Sequence, residues 1–328
     1  MRWLPLIFSL CVLTLCAAMT PEAKRSFEAF TQKAESGDPE AMYRLSAILE
    51  TGFDTIPADT VRSISLLRRA AAAGYAPAQN YLGFLYQKGN ILPENPDSAR
   101  YYIRMAADNG DNTAAHNYAF LLLGEKEAAR DSLALGYLQR AADEGLPRSM
   151  TLLADLYAEG RVVEKDTLKA REYYEAAIGR GFHDAELRLL NMMGPEWRSL
   201  DSQDALSEAI RYWNMGAPTI AVELLHQIGP LEPETARAYA LLGHAYSRGY
   251  GAPYDHRRAN EYFARAALLG NPSAQFILAE TLEIFPDALQ DLLPDTPSAM
   301  TPEFLRESAA RAGILSAEEA TRRLTSVE

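Results

Sequence analysis

The sequence predicts an all-α chain, a right-handed α/α superhelical solenoid of about seven antiparallel helix-pair repeats of about 36 residues each. Three observations predict it. Glycines 74, 110, 145, 181 and 216 recur at spacings of 36, 35, 36 and 35 residues. Alanine, leucine, glutamate and arginine are frequent while runs of Val, Ile and Thr are scarce. That favours helix, because Ala loses no side-chain entropy there and β-branched residues do. Finally, a glycine is followed closely by a proline at Pro39, Pro77, Pro147, Pro218 and Pro272. Glycine suits the left-handed residue that stops a helix. Proline suits the first turn of the next, where its missing N–H costs nothing.

The elements follow in order. Residues 1–18 read as a secretory signal peptide: Arg2, the apolar stretch Leu4–Leu15, then Cys16-Ala17-Ala18 ahead of Thr20-Pro21-Glu22. As a helix the apolar stretch spans about 18 Å, short of a hydrocarbon core of about 30 Å, which disfavours a retained anchor. Lipidation at Cys16 is a further alternative, but Leu15 stands where a bacterial lipobox needs a small residue. Cys11 and Cys16 are the only cysteines, so a cleaved chain has no disulfide although export would permit one. The expected location is periplasmic or secreted, with no membrane insertion after cleavage. Residues 19–37 form a capping helix, opened by Thr20-Pro21 and running to about Ser36, with Phe27 and Phe30 over the first repeat.

Residues 38–181 hold four repeats: Asp38–Gly74, Ala76–Gly110, Asp111–Gly145 and Leu146–Gly181. Ala78, Leu82 and Tyr86 lie at i, i+4 and i+8, one face of a first helix. Gly83 and Gly243 share that face and admit a close neighbour. Second helices carry matching stripes, Ala99, Tyr102, Ala106 and Ala170, Tyr174, Ala177. The third repeat has a shortened connector, Gly124-Glu125-Lys126-Glu127. Across 182–233 the pattern decays, with Met192-Met193-Gly194-Pro195 and Trp197. Gly216 to Gly270 is 54 residues, half a repeat too long, so Thr219–Ile228 is read as an extra helix. Residues 234–283 resume the repeats, with Ala238–Gly270. Residues 284–328 give a Pro/Asp-rich loop, Ile284–Ala299, and two capping helices. These are Pro302–Ala312, N-capped by Thr301, and Ala317–Thr325, opened by Ser316 with Glu319 in a capping box. Glu318, Glu319, Arg322 and Arg323 supply the polar outer face that a terminal unit needs.

The second repeat reads AQNYLGFLYQKG, NILPENPDSA, RYYIRMAADNG; the fourth reads SMTLLADLYAEG, RVVEKDTLKA, REYYEAAIGRG; a later one reads AYALLGHAYSRG, YGAPYDHRRA, NEYFARAALLG. Over roughly residues 24–283 these resemble the Sel1-like repeat, a relative of the tetratricopeptide repeat. Its pattern is Ala-x-x-x-Leu-Gly-x-x-Tyr-x-x-Gly, a loop, then Lys-Ala-x-x-Tyr-Phe-x-x-Ala-Ala-x-x-Gly. The resemblance implies a superhelix of antiparallel helix pairs whose usual job is holding proteins together. Members with paired cysteines in every unit differ from this chain, so their properties do not transfer to it.

Chemistry is sparse. The formal charge is −12, and Arg68-Arg69 and Arg322-Arg323 are isolated pairs, so nucleic acid is not an expected partner. There is no Gly-x-Ser-x-Gly, Ser-x-x-Lys, His-Glu-x-x-His or phosphate-binding glycine loop. Gly249-Tyr250-Gly251 falls at an inter-helix turn. His116, His183, His226, His244 and His256 include no i, i+3 or i, i+4 pair, so neither metal nor cofactor is expected. Tyr81, Tyr86, Tyr101, Tyr102, Tyr157, Tyr173, Tyr174 and Tyr246 tempt one to read a binding track, but most fall at packing positions and are read as core.

A binding surface follows by subtraction. In related solenoids the first helices line the concave face. Positions two before, two after and six after the Leu of Ala-x-x-x-Leu point away from the core. They give Tyr43, Asn80, Phe84, Lys88, His116, Phe120, Thr151, Asp155, Glu159, Asn191, His244, Arg248 and Glu280, the polar and aromatic mixture of a protein-recognition groove. The reading is a non-catalytic scaffold or adaptor of the bacterial cell envelope that binds another protein or a peptide segment. The alternative is a cell-wall or β-lactam-directed hydrolase or binder, against which the missing nucleophile motif and cysteines count. Ala18 and Cys16 occupy the two small-residue positions a signal peptidase reads, so N-terminal sequencing of the exported protein should begin at Met19. Recovery of Arg2, or of a lipid on Cys16, would exclude that cleavage.

Overall fold

A computed structural model describes residues 21–53, 56–125, 127–194, 197, 200–228, 235–287 and 300–325. Residues 1–18, read as a signal peptide, and most of the Pro/Asp-rich stretch lie outside these residues. Among the described residues there are seventeen α-helices and no strand. They are α1 Pro21–Glu35, α2 Pro39–Thr51, α3 Thr60–Ala72, α4 Ala76–Lys88, α5 Pro96–Asp108, α6 Asn112–Leu123, α7 Ala128–Asp143, α8 Pro147–Glu159 and α9 Thr167–Ile178. There follow α10 Asp184–Met193, α11 Ser202–Met215, α12 Pro218–Leu225, α13 Ala236–Arg248, α14 His256–Leu268, α15 Pro272–Ile284, α16 Pro302–Arg311 and α17 Ala317–Thr325. In chain order they make seven first-and-second pairs of a helical repeat solenoid, with α1, α12 and α17 left over. The chain divides into two compact units, Met1–Leu153 and Ala154–Glu328.

Local chemistry sets the helix ends. Asp38, Asp59, Asn95, Asp111, Asp166, Asp201, Asp255 and Asn271 each accept a backbone N–H of the helix they precede. Such a cap replaces one of the hydrogen bonds that the first turn lacks. Closing glycines Gly74 and Gly110 stand at φ 86° and 90°, a conformation that costs a residue with a side chain. The connectors of the second, fourth and sixth pairs repeat one geometry: Asn95, Asp166 and Asp255 donate their N–H to the carbonyls of Tyr86, Tyr157 and Tyr246 at 3.0 Å each.

In the first unit α1 packs on α2, and Phe27 and Phe30 lie against the buried cluster that includes Met42, Leu45, Leu49 and Leu67. Hairpins α2–α3, α4–α5 and α6–α7 follow. In the second unit α13–α14 and α15–α16 pair, and α12 packs on α11. The extra helix is therefore present but shorter than Thr219–Ile228, because past Leu225 the bonding tightens to i, i−3, with Gln227 N–H donated to Leu224 O at 3.1 Å and Ile228 N–H to Leu225 O at 3.3 Å. The capping box at α17 is half formed. Glu319 N–H is donated to Ser316 Oγ at 3.2 Å, but the Glu319 carboxylate turns to Arg322 and Arg323.

Each hairpin closes on small residues. Ala78, Ala99, Ala106, Ala170 and Ala177 are buried. A Cβ added to Gly83 would lie 2.5 Å from Ile103 Cγ1 and 3.1 Å from the Ala99 carbonyl; one added to Gly243 would meet the Phe263 ring at 2.7 Å. Replacing Gly83 or Ala106 by Leu should therefore overpack the α4–α5 seam and cost about 1–3 kcal/mol. Because a repeat touches only its neighbours, hydrogen exchange should first quicken around α4 and α5. Loss of protection spread evenly over all helices would contradict this.

Candidate functional site

Position relative to the Leu of each first helix decides what the expected site residues do. In the first unit, the residues two positions before it join one repeat to the next. The Tyr43 ring lies 5.6 Å from that of Tyr75 and 6.4 Å from that of Tyr81. Asn80 Nδ2 reaches Asp111 Oδ1 at 3.5 Å, and His116 Nδ1 stands 3.2 Å from Ser149 Oγ. These three are half-buried. Thr151 corrects the expectation of an exposed groove residue: it is 5% exposed and donates its hydroxyl to Pro147 O at 3.0 Å. Its short side chain turns back along its own helix.

The residues two and six positions after the Leu remain open here. Phe84 is 42% exposed and Phe120 65%, and Lys88 is exposed with its Nζ 5.6 Å from the Phe84 ring centre. Phe84 stacks on Tyr81 at 5.9 Å and 14°, and the Tyr81 hydroxyl donates to Glu50 Oε1 at 2.6 Å. Burial and that carboxylate raise the Tyr81 pKa, keeping it a donor. Tyr75, Tyr43, Tyr81, Phe84 and Lys88 thus form one connected strip. Tyr75 and Tyr81 join the strip although the repeat pattern does not place them on the exposed face; their one sequence signal is aromatic character.

In the second unit the equivalent positions are mostly polar. Asp155 is half-buried, accepting the Tyr174 hydroxyl at 2.6 Å and pairing with Arg188. Glu159 and Asn191 are exposed, and Glu280 is half-buried. His244 lies half-buried, 5.9 Å from the Trp213 ring. Arg248 is exposed and lines a shallow cleft with Ala317, Glu318, Thr321 and Arg322 of α17.

The tyrosines expected in the core also form a regular device. Tyr86–Tyr102, Tyr157–Tyr173 and Tyr246–Tyr262 stack in parallel within their hairpins, at 5.8, 6.0 and 5.6 Å. Tyr174 and Tyr246 are buried, whereas Tyr101 is 58% exposed and does not belong to the core. Elsewhere Glu175 accepts from Arg171, Arg211 and the Tyr212 hydroxyl, with Arg171 5.6 Å from the Trp197 ring centre. These partners hold the Glu175 carboxyl below its usual range against the opposing effect of burial. All three donors converge on its Oε1, so the cluster ties α9 to α11. Among the described residues no group of three or more His, Cys, Asp or Glu is placed to hold a metal ion, and no helix is long and apolar enough to cross a membrane.

A family model described as Sel1 repeat matches residues 39–75, 76–111, 113–146, 147–182 and 236–271. The Neisseria meningitidis protein NMB1327 is 32% identical over 172 residues, 52% of this chain and 36% of that protein. The chitin synthase regulator SKT5 of Saccharomyces cerevisiae is 30% identical over 144 residues, 42% of this chain and 21% of that protein. The chain therefore spans well under half the length of the curated relatives it matches. Of solved structures, an SLR-fold protective antigen of uropathogenic Escherichia coli, c5321, aligns with a TM-score of 0.48 at 22% identity, covering 91% of this chain and 58% of that one.

Two site histidines carry a pH signature. Burial, assisted by Arg148 beside His116 and Arg248 beside His244, lowers both pKa values. The folded protein thus prefers them neutral, while the unfolded chain takes up the protons below its ordinary value of about 6.5. Stability should fall as pH drops through and below that value. Glu175 and Glu319, whose pKa values are lowered, act only below about 4.5 and leave this window alone. Thermal melts should show a lower Tm at pH 5.5 than at pH 7.5, with a smaller difference in a His116→Gln/His244→Gln variant. An unchanged difference would refute the assignment.

Proposed function

The chain belongs to the Sel1 repeat family, and from that premise we propose that it is a non-catalytic adaptor of the bacterial cell envelope, holding a partner protein on the first-helix face of its N-terminal repeats. Sel1 repeat proteins are generally protein-interaction scaffolds. The envelope follows from the leader-like residues 1–18, and the partner is another protein or an extended segment of one.

One observation carries the reading. Phe84 and Phe120 occupy the same position in successive repeats, and both are exposed outside the hairpin seam. Burying a Phe side chain is worth about 1.5–3 kcal/mol, so two rings at equivalent exposed sites forgo stabilisation that a partner can restore. Tyr81 backs Phe84 and fixes its ring, and Lys88 stands beside it. A rigid aromatic anchor with a neighbouring cation resembles the residues that dominate protein interfaces, where truncation costs about 2 kcal/mol or more.

Changing Phe84 and Phe120 together to Ala should weaken partner capture by about tenfold or more, since 1.4 kcal/mol is a factor of ten. The melting temperature should change little. Pull-down from a periplasmic fraction, quantified beside the melt, separates the outcomes. A double variant with intact stability and undiminished capture would remove this strip as the recognition site. A variant that unfolds would show that both rings belong to the fold.

A further inference from the structure

The last helix, α17, does not behave as the second half of a hairpin. Within the second unit that role belongs to α16, which packs on α15. Instead, α17 lies against both α15 and α13, two first helices. Its start shares a cleft with Arg248 at the end of α13, through Ala317, Glu318, Thr321 and Arg322. Its end, at Leu324 and Thr325, meets Arg237 and Leu241 near the start of α13, with Ile210, Trp213 and Asn214 of α11. The helix therefore runs antiparallel along α13, on the side where Arg248 was expected to meet a partner.

The attachment is narrow. Ala320 and Leu324, four residues apart, are the buried residues of α17, and Ile314 in the preceding turn is buried with Phe276, Ala309 and Ala320. Around these, Glu318, Arg322 and Arg323 are exposed, the Glu319 carboxylate pairs within the helix with Arg322 and Arg323 at 2.9 and 2.6 Å, and Arg323 Nη1 donates to Ala312 O of the preceding turn at 2.8 Å. A helix of nine residues is too short to persist alone in water, so α17 is helical only while seated. Few buried apolar contacts are the mark of a segment that opens locally, ahead of the rest of the molecule.

We propose that α17 is a removable occupant of the first-helix face of the second unit, and that the ligand this face takes is an amphipathic helix presenting a small residue and a leucine four positions apart, as α17 does with Ala320 and Leu324. This deepens the adaptor reading, extending it to a second face. A partner helix must outcompete a tethered segment whose effective concentration is in the millimolar range. The face is therefore closed to weak ligands and open to a longer helix of the same pattern, a helix-in-groove mode of recognition.

The test uses the full chain. Hydrogen exchange on the unaltered protein should show α17 amides exchanging at least about a hundredfold faster than those of α13 and α15, the ordering expected of local opening. A Leu324→Asp variant should then bind a fluorescein-labelled peptide of residues 313–328 at least about tenfold more tightly than the unaltered chain, the gain expected once the tethered competitor is released. The same peptide carrying Leu324→Asp should not bind. Protection of α17 equal to that of α15 would overturn the proposal and make α17 a fixed cap. So would a folded variant that takes up no peptide. The Phe84→Ala/Phe120→Ala variant should take up the peptide as the unaltered chain does, so failure here is distinct from failure of the N-terminal strip.

Discussion

Everything in this fold depends on how closely the two helices of a hairpin approach. The seam is made of alanines and, in two hairpins, of a glycine whose missing Cβ leaves room for Ile103 or for the ring of Phe263. Apolar packing loses much of its attraction when contacts open by a fraction of an ångström, so small residues at the seam are what let the larger ones mesh around it. Once the hairpin is closed, its second helix ends at a left-handed glycine and the next first helix begins within three or four residues. The period of the sequence is the length of chain needed to close one seam and reach the next.

Because the seam is local, what joins one repeat to the next must be supplied separately. In the first unit that is the work of the position two before Leu45, Leu82 and Tyr118, where Tyr43, Asn80 and His116 each reach the start of the following first helix. These residues point away from the hairpin core, as their spacing predicts, but another repeat stands on that side. Periodicity encodes which face of a helix is apolar; it does not encode which polar face a neighbour covers. Thr151 departs from the expectation for a related reason: a threonine on a helix can satisfy its own hydroxyl at the carbonyl four residues back and so tolerate burial.

The aromatic residues show the same division between what a pattern conveys and what it does not. The tyrosines sixteen residues apart in three hairpins were legible as packing residues, and they pack. Their parallel stacking, closed over a connector with one repeated hydrogen bond, was not. Such pairs bridge core and surface, with Tyr246 buried and Tyr86 and Tyr102 half-buried against the core, a gradation that hydropathy alone cannot express. The third hairpin, with its connector cut to Gly124–Glu127, has no such pair. There Glu125 is gripped by Arg100 and Arg130 instead, so an ion cluster closes the turn that stacking closes elsewhere. The helices and their caps, by contrast, were nearly all readable, since Asp, Asn, Gly and Pro act on the backbone within a residue or two of where they stand.

The position two after the leucine is free of all these duties in the first unit, and its residues differ accordingly: Phe84 and Phe120 there, Asp155, Asn191, His244 and Glu280 in the second unit. A site that must fill a seam keeps a small side chain from repeat to repeat, as Ala78, Ala114, Ser149 and Ala238 do. A site with no structural duty is open to whatever lies outside the fold. In the second unit two such residues have found internal company, Asp155 with Tyr174 and Arg188, and His244 with Trp213. In the first unit the two phenylalanines are exposed, and an exposed ring is the least stable state in which a phenylalanine can be left. The scaffold thus separates its two tasks by position along a single helix. Residues facing the seam hold the repeat together, and residues two positions past the leucine carry what distinguishes one repeat from another.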